Sequence, residues 1–75
     1  MAISSLVVET MPECTIDVKL ALEAMEGVEV HEIQSHKLVV TIEAEDAGAS
    51  HSVASSFVGV PGVTGVNLVY LNIEE

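Results

Sequence analysis

The strongest pattern in this 75-residue chain is Lys37-Leu38-Val39-Val40-Thr41-Ile42-Glu43-Ala44. Residues two apart on a strand share a face, so Leu38, Val40, Ile42 and Ala44 point one way and Val39, Thr41 and Glu43 the other. Edge strands are shorter and more polar than this. The stretch therefore predicts an interior strand with one buried face and a second face that is still apolar. The same alternation runs from Ile3 to Glu9, with Leu6 and Val8 on one side and Ile3, Ser5 and Val7 on the other.

Thr10-Met11-Pro12-Glu13 turns from this first strand into a helix. Pro12 suits a first helical turn, where its missing N–H is not needed. Cys14, Val18, Ala21, Leu22 and Met25 recur at helical spacing, which predicts a helix from Glu13 to Met25 with Gly27 as its stop. Glu13 and Asp17 sit near its positive end. Val28 to Ile33 reads as a second strand, and a reversal at Gln34-Ser35-His36 joins it to the interior strand as a hairpin. Asp46 is the N-cap of a second helix, Ala47 to Val58, with Val53, Ala54 and Phe57 as its buried stripe. Gly48 and the serines of this helix lower its propensity and mark it as the least stable element. After the turn Gly59-Val60-Pro61-Gly62 the last strand covers residues 63–73, with Gly65 marking a bulge.

The order strand, helix, strand, strand, helix, strand carries a faint duplication, since each helix is followed by Gly-Val (Gly27-Val28 and Gly62-Val63). This is the α+β, ferredoxin-like βαββαβ arrangement: a four-stranded antiparallel sheet with two helices on one face and the first and third strands in the centre. Residues 1–75 read as a single domain. Leu6, Val8, Val28, Val30, Leu38, Val40, Ile42, Val66, Leu68 and Tyr70 are assigned to the helix-covered side. The other face then carries Ile3, Ser5, Val7, Glu9, His31, Ile33, Val39, Thr41, Glu43, Asn67, Val69, Leu71 and Ile73. A bare sheet face is ordinarily polar. Here Ile3, Val7, Val39, Val69 and Leu71 predict an aliphatic patch, with Ser5 and Thr41 at its centre and Glu9 and Glu43 beside it, as an interaction site would have. The assignment rests on register, because a one-residue slip exchanges the two faces of a strand.

Charge sharpens this reading. Asp and Glu number 12 against 2 for Lys and Arg, a formal charge of −10 at pH 7. That excludes a phosphate-backbone partner, and two aromatics, Phe57 and Tyr70, offer no platform for stacked bases. The guest that fits is basic and amphipathic, as a helix laid on the sheet or a strand added at an edge. A homodimer formed by sheet-to-sheet stacking would cover the same face.

Cys14 is the lone cysteine, so no internal disulfide, iron–sulfur cluster or four-thiolate zinc site can form within one chain. On an apolar helical stripe it reads as a core residue. His31, His36 and His51 lack ligand spacing, and no metal or other cofactor is expected, although His31 falls where it can help shape the bare face. No Ser/His/Asp order, phosphate loop or arginine is present, which argues against an enzyme. No apolar run reaches about 18 residues, so no membrane span is expected. Met1 to Leu6 lacks the basic and apolar regions of a secretory signal, and a cytoplasmic address is the expectation.

Four stretches together resemble the NapD family: Ile3-Ser4-Ser5-Leu6-Val7-Val8; Leu22 with Met25-Glu26-Gly27-Val28-Glu29-Val30; Leu38 through Asp46; and Gly62-Val63 with Val66-Asn67-Leu68-Val69-Tyr70 and the trailing glutamates. The resemblance covers nearly the whole chain and departs in the second helix, where Gly48, Ser50 and His51 replace bulkier apolar residues. It implies a cytoplasmic chaperone that binds the twin-arginine signal peptide of the periplasmic nitrate reductase catalytic subunit and delays export until cofactors are inserted. The peptide would bind as a helix on the bare sheet face. Ile3, Val7, Val39, Val69 and Leu71 would then take its apolar side, Glu9 and Glu43 its arginines, and Ser5 and Thr41 its polar groups. The alternative of the same topology is a small-ligand, amino-acid-sensing dimer module, whose site would lie at Thr10-Met11-Pro12-Glu13.

Overall fold

The structure, a computed structural model, describes residues 1–73, with side chains described from Met1 to Val69. The elements are β1 (Ala2–Thr10), a 3₁₀ turn (Pro12–Cys14), α1 (Thr15–Glu23), β2 (Val28–Gln34), β3 (Lys37–Ala44), α2 (Ala47–Phe57) and β4 (Val63–Ile73). The strands lie in the order β2-β3-β1-β4 and every neighbouring pair is antiparallel. This is the expected ferredoxin-like sheet, with β1 and β3 central and β2 and β4 at the edges.

Alternation sets the layers. Ala2, Ser4, Leu6, Val8 and Thr10 of β1 are all buried, while the residues between them are half-buried. Leu38, Val40 and Ile42 of β3 join Leu6 and Val8 beneath both helices. Helix α1 contributes Val18 and Leu22, and α2 contributes Phe57, to this one core. Two glycines permit close approach. Gly27 has φ +79, and a Cβ on it would lie 2.4 Å from the Glu43 carbonyl oxygen. Gly62 has φ +96 and packs against Cys14, where a Cβ would lie 2.5 Å from the Cys14 Cβ. Cys14 is therefore a packing residue at the core margin, as its place on the stripe suggested.

The first helix is shorter than the periodicity predicted. Pro12 opens a 3₁₀ turn before α1, and the α-helix ends at Glu23 with Ala24 as its cap. The entry into α1 is stitched by hydroxyls. Thr10 Oγ1 and Thr15 Oγ1 lie 2.8 Å apart, and Thr10 Oγ1 donates to the His36 carbonyl at 3.2 Å. One buried cluster thus ties together β1, α1 and the tip of the β2–β3 hairpin. Asp46 caps α2 as expected, its carboxylate accepting from the Ala49 N–H at 2.7 Å. The buried stripe of α2 includes a residue that hydropathy overlooks: the Ser50 hydroxyl is buried and bonds the buried Ser4 hydroxyl of β1.

Three register irregularities correct the face assignment. On β2 the pairs Val30↔Val40 and Glu32↔Val39 leave His31 as an extra residue. Everything beyond it shifts by one, so Ile33 pairs with Leu38 in the row of the covered face, not on the bare face as assumed. On β4, Glu9↔Gly65 and Thr10↔Val63 skip Thr64, an irregularity beside the expected Gly65. Further along, Leu6↔Leu68 and Ser5↔Tyr70 skip Val69. The backbone of Tyr70 therefore lies opposite Ser5, that of Leu71 opposite Ser4 and that of Ile73 opposite Ala2, the reverse of the assumed alternation. The side-chain assignments made for Tyr70, Leu71 and Ile73 lie outside the described residues. Unbroken alternation cannot anticipate such a shift, because one unpaired residue inverts every position after it.

Candidate functional site

The bare face is built from cross-strand rows. Glu43 of β3 stands opposite Ile3 of β1; Thr41 lies between Glu29 and Ser5; Val39 lies between Glu32 and Val7; Lys37 lies between Gln34 and Glu9. Asn67 of β4 continues the row of Val7 and Val39. Ile3, Val7 and Val39 thus form an aliphatic strip across the two central strands, with no helix above it. Each is half-buried by its neighbours within the sheet. Ser5 and Thr41 sit side by side between Ile3 and Val7, as the expected polar centre.

Carboxylates border this strip. Glu43 closes one end, and Glu29 and Glu32 line the β2 side, all three exposed. At the other end Glu9 faces Lys37 across the central pair, Oε1 to Nζ 3.6 Å. Glu9 is thus already engaged by a cation and is partly shielded, its side chain being 35% exposed. His31 bends over the face from its extra position, its Nε2 lying 2.6 Å from Thr41 Oγ1 and 3.8 Å from Glu29 Oε2. Ile3, Glu29, His31, Thr41 and Glu43 line a shallow depression of about 330 Å³ at this end of the face.

Of the nine residues expected to bind a guest, Ile3, Ser5, Val7, Glu9, Val39, Thr41 and Glu43 share this face. Val69 is exposed and is the unpaired residue of the β4 irregularity, with no residue of β1 opposite it. Leu71 is not brought there by register, as described above. Sequence reasoning missed Glu32, which reaches the face only because His31 is extra. A Glu-Val-His-Glu run at an edge is the kind of local disruption that could have signalled a bulge. No group of three His, Cys, Asp or Glu among the described residues could hold a metal ion, and no described helix is long and apolar enough to cross a membrane. At the turn favoured by the small-ligand alternative, Met11, Pro12 and Glu13 are exposed, the Met11 N–H is engaged by the Gly62 carbonyl at 2.8 Å, and the Thr15 hydroxyl is engaged by that of Thr10.

Fold and face define a ferredoxin-like domain whose bare sheet face carries an apolar strip with an acidic border. Comparison with known proteins gives the narrower class. The family model described as NapD protein matches residues 1–75, and the chain belongs to that family. It is 37% identical over 75 residues to Chaperone NapD of Escherichia coli (strain K12), covering 97% of this chain and 86% of the relative. The same figures hold for Chaperone NapD of Shigella flexneri. The solution structure of the E. coli Tat proofreading chaperone protein NapD superposes with a TM-score of 0.86 at 37% identity, covering 97% of this chain and 79% of that one. The chain is therefore a chaperone and not an enzyme, and the amino-acid-sensing alternative falls away.

Proposed function

We propose that this chaperone binds the twin-arginine signal peptide of the periplasmic nitrate reductase catalytic subunit, in the cytoplasm, and delays its export until the cofactors are in place. The observation that carries the proposal is the strip of Ile3, Val7 and Val39 lying bare between Glu43, Glu29, Glu32 and Glu9 on a chain of formal charge −10. A signal peptide of this kind is cationic at one end and apolar beyond it. Laid on the sheet as a helix, it covers the aliphatics with its apolar stripe while its arginines meet the border. Burying a few hundred Å² of apolar surface at about 25 cal/mol per Å² is worth several kcal/mol before ordering costs. The carboxylates add on-rate and selection against acidic guests more than affinity.

Within this reading Glu43, exposed beside the depression, is the first carboxylate for an arginine. Glu9 is second, because its partner Lys37 must first be displaced. Titration calorimetry with a synthetic twin-arginine signal peptide, and separately with free amino acids, tests the reading. A saturable peptide complex whose affinity falls as salt is raised is expected. Heat from the amino acids alone, with none from the peptide, would overturn it.

A further inference from the structure

The charge of this protein is confined to part of its surface. From Ala47 to Ile73 the sequence holds no Asp, Glu, Lys or Arg. That stretch forms α2, the following turn and β4, which is one edge of the sheet. The two edges are consequently unlike. Both carry register irregularities, at His31 on β2 and at Thr64 and Val69 on β4, but β2 is only seven residues long and carries Glu29, His31 and Glu32, and charge protects an edge from pairing. β4 is eleven residues long and has neither a charge nor a proline. Its outer side turns every second N–H and C=O away from β1. Beside it the helix layer stops short. Leu68 stands in the covered row opposite Leu6 yet is 61% exposed, and Val58 at the end of α2 is 70% exposed. A groove of about 310 Å³ runs between α2 and β4, lined by Ala54, Val58, Val66 and Leu68 among others.

We propose that β4 is a self-association edge, at which two copies of this chain pair antiparallel to form a continuous eight-stranded sheet. Charge selects the occupant. Two copies meeting at the β2 edge or on the bare face would set carboxylates against carboxylates, whereas β4 and α2 themselves carry none, those bordering β4 being Glu9 of β1 beside Gly65 and, in sequence, Glu74 and Glu75. An antiparallel edge is also complementary to itself across a twofold axis. That axis runs perpendicular to the sheet, so both bare faces end on the same side and stay open to their guests. The exposed Leu68 and Val58 of each copy close the groove of the other. The proposal is thus independent of what occupies the bare face.

Sedimentation equilibrium over a wide concentration series, at low and high salt, reads the outcome. A concentration-dependent dimer is expected, and it tightens several-fold as salt screens the repulsion between two acidic molecules. Amide exchange in β4 should slow as the dimer fills. Leu68→Lys, an edge charge of the kind that blocks pairing, should weaken the dimer at least about tenfold. Thr64→Lys, exposed on the same strand, makes the same test should the first variant fail to fold. A monomer at every concentration would overturn the proposal. So would a dimer that loosens with salt, one indifferent to both lysines but broken by Val39→Asp, or a β4 edge that pairs only with a foreign neutral peptide.

Discussion

The two faces of this sheet use the same strands and differ by one step along them. In β1, Leu6 is buried beneath the helices while Val7, its neighbour, lies half-buried with nothing above it. In β3, Val40 and Val39 repeat the contrast. Hydropathy alone cannot rank these positions, since valines stand on both sides. What separates them is the company each keeps. The covered row meets Val18, Leu22 and Phe57 of the helices, while on the bare face Val7 and Val39 meet only each other and Glu32 and Asn67 of adjacent strands. One face uses its apolar surface in folding and the other leaves it bare; on the proposal that this bare strip takes the peptide, stability and binding can be damaged separately.

The largest expected effect falls on the covered side. Phe57 is fully buried and is the one large apolar residue that α2 gives to the core. Truncation leaves a cavity that the serine-rich helix cannot fill, and Phe57→Ala should cost about 3–5 kcal/mol. Urea unfolding followed by circular dichroism measures this. The fraction that remains folded should still bind signal peptide with nearly native affinity. A small stability loss would mean that α2 contributes less to the core than its geometry indicates.

On the bare side the order of effects reverses. Val39→Asp places a carboxylate in the centre of the aliphatic strip without entering the core. The unfolding free energy should change by less than about 1–2 kcal/mol. Peptide affinity should fall at least about a hundredfold, as an unpaired charge beneath an apolar stripe requires. Unfolding of this variant would show that Val39 belongs to the core and that the faces are exchanged.

How much of this contrast the sequence reveals depends on the regularity of each strand. The faces of β1 and β3 were legible, because both strands alternate and they then pair residue for residue without a slip. Hence seven of the nine proposed contact residues share one face. The edges were less legible. One extra residue at His31 moved Ile33 to the covered row and brought Glu32 to the bare face, and one at Val69 reversed the backbone register of Leu71. Such insertions answer to twist and to the absence of an outer neighbour, neither of which hydropathy encodes. The buried Ser4–Ser50 pair was hidden for a different reason. Two serines read as surface residues until the fold brings their hydroxyls together, where each satisfies the other.

The finest prediction concerns the border between the faces' two tasks, where Lys37 neutralises Glu9 at 3.6 Å. Both side chains are substantially exposed, so the pair contributes little to folding, and Lys37→Ala should shift stability by less than about 1 kcal/mol. Its effect on binding has the opposite sign. Removing the cation frees Glu9 and adds a net negative charge to the face, so a cationic peptide should bind a few-fold more tightly, mostly through a faster on-rate. That gain should vanish at high salt, where the surface charges are screened. Stopped-flow association at two ionic strengths separates the terms. If the on-rate does not change at low salt, Glu9 lies outside the path of the peptide's basic end, and the arginines meet only the carboxylates at the Glu43 end of the strip.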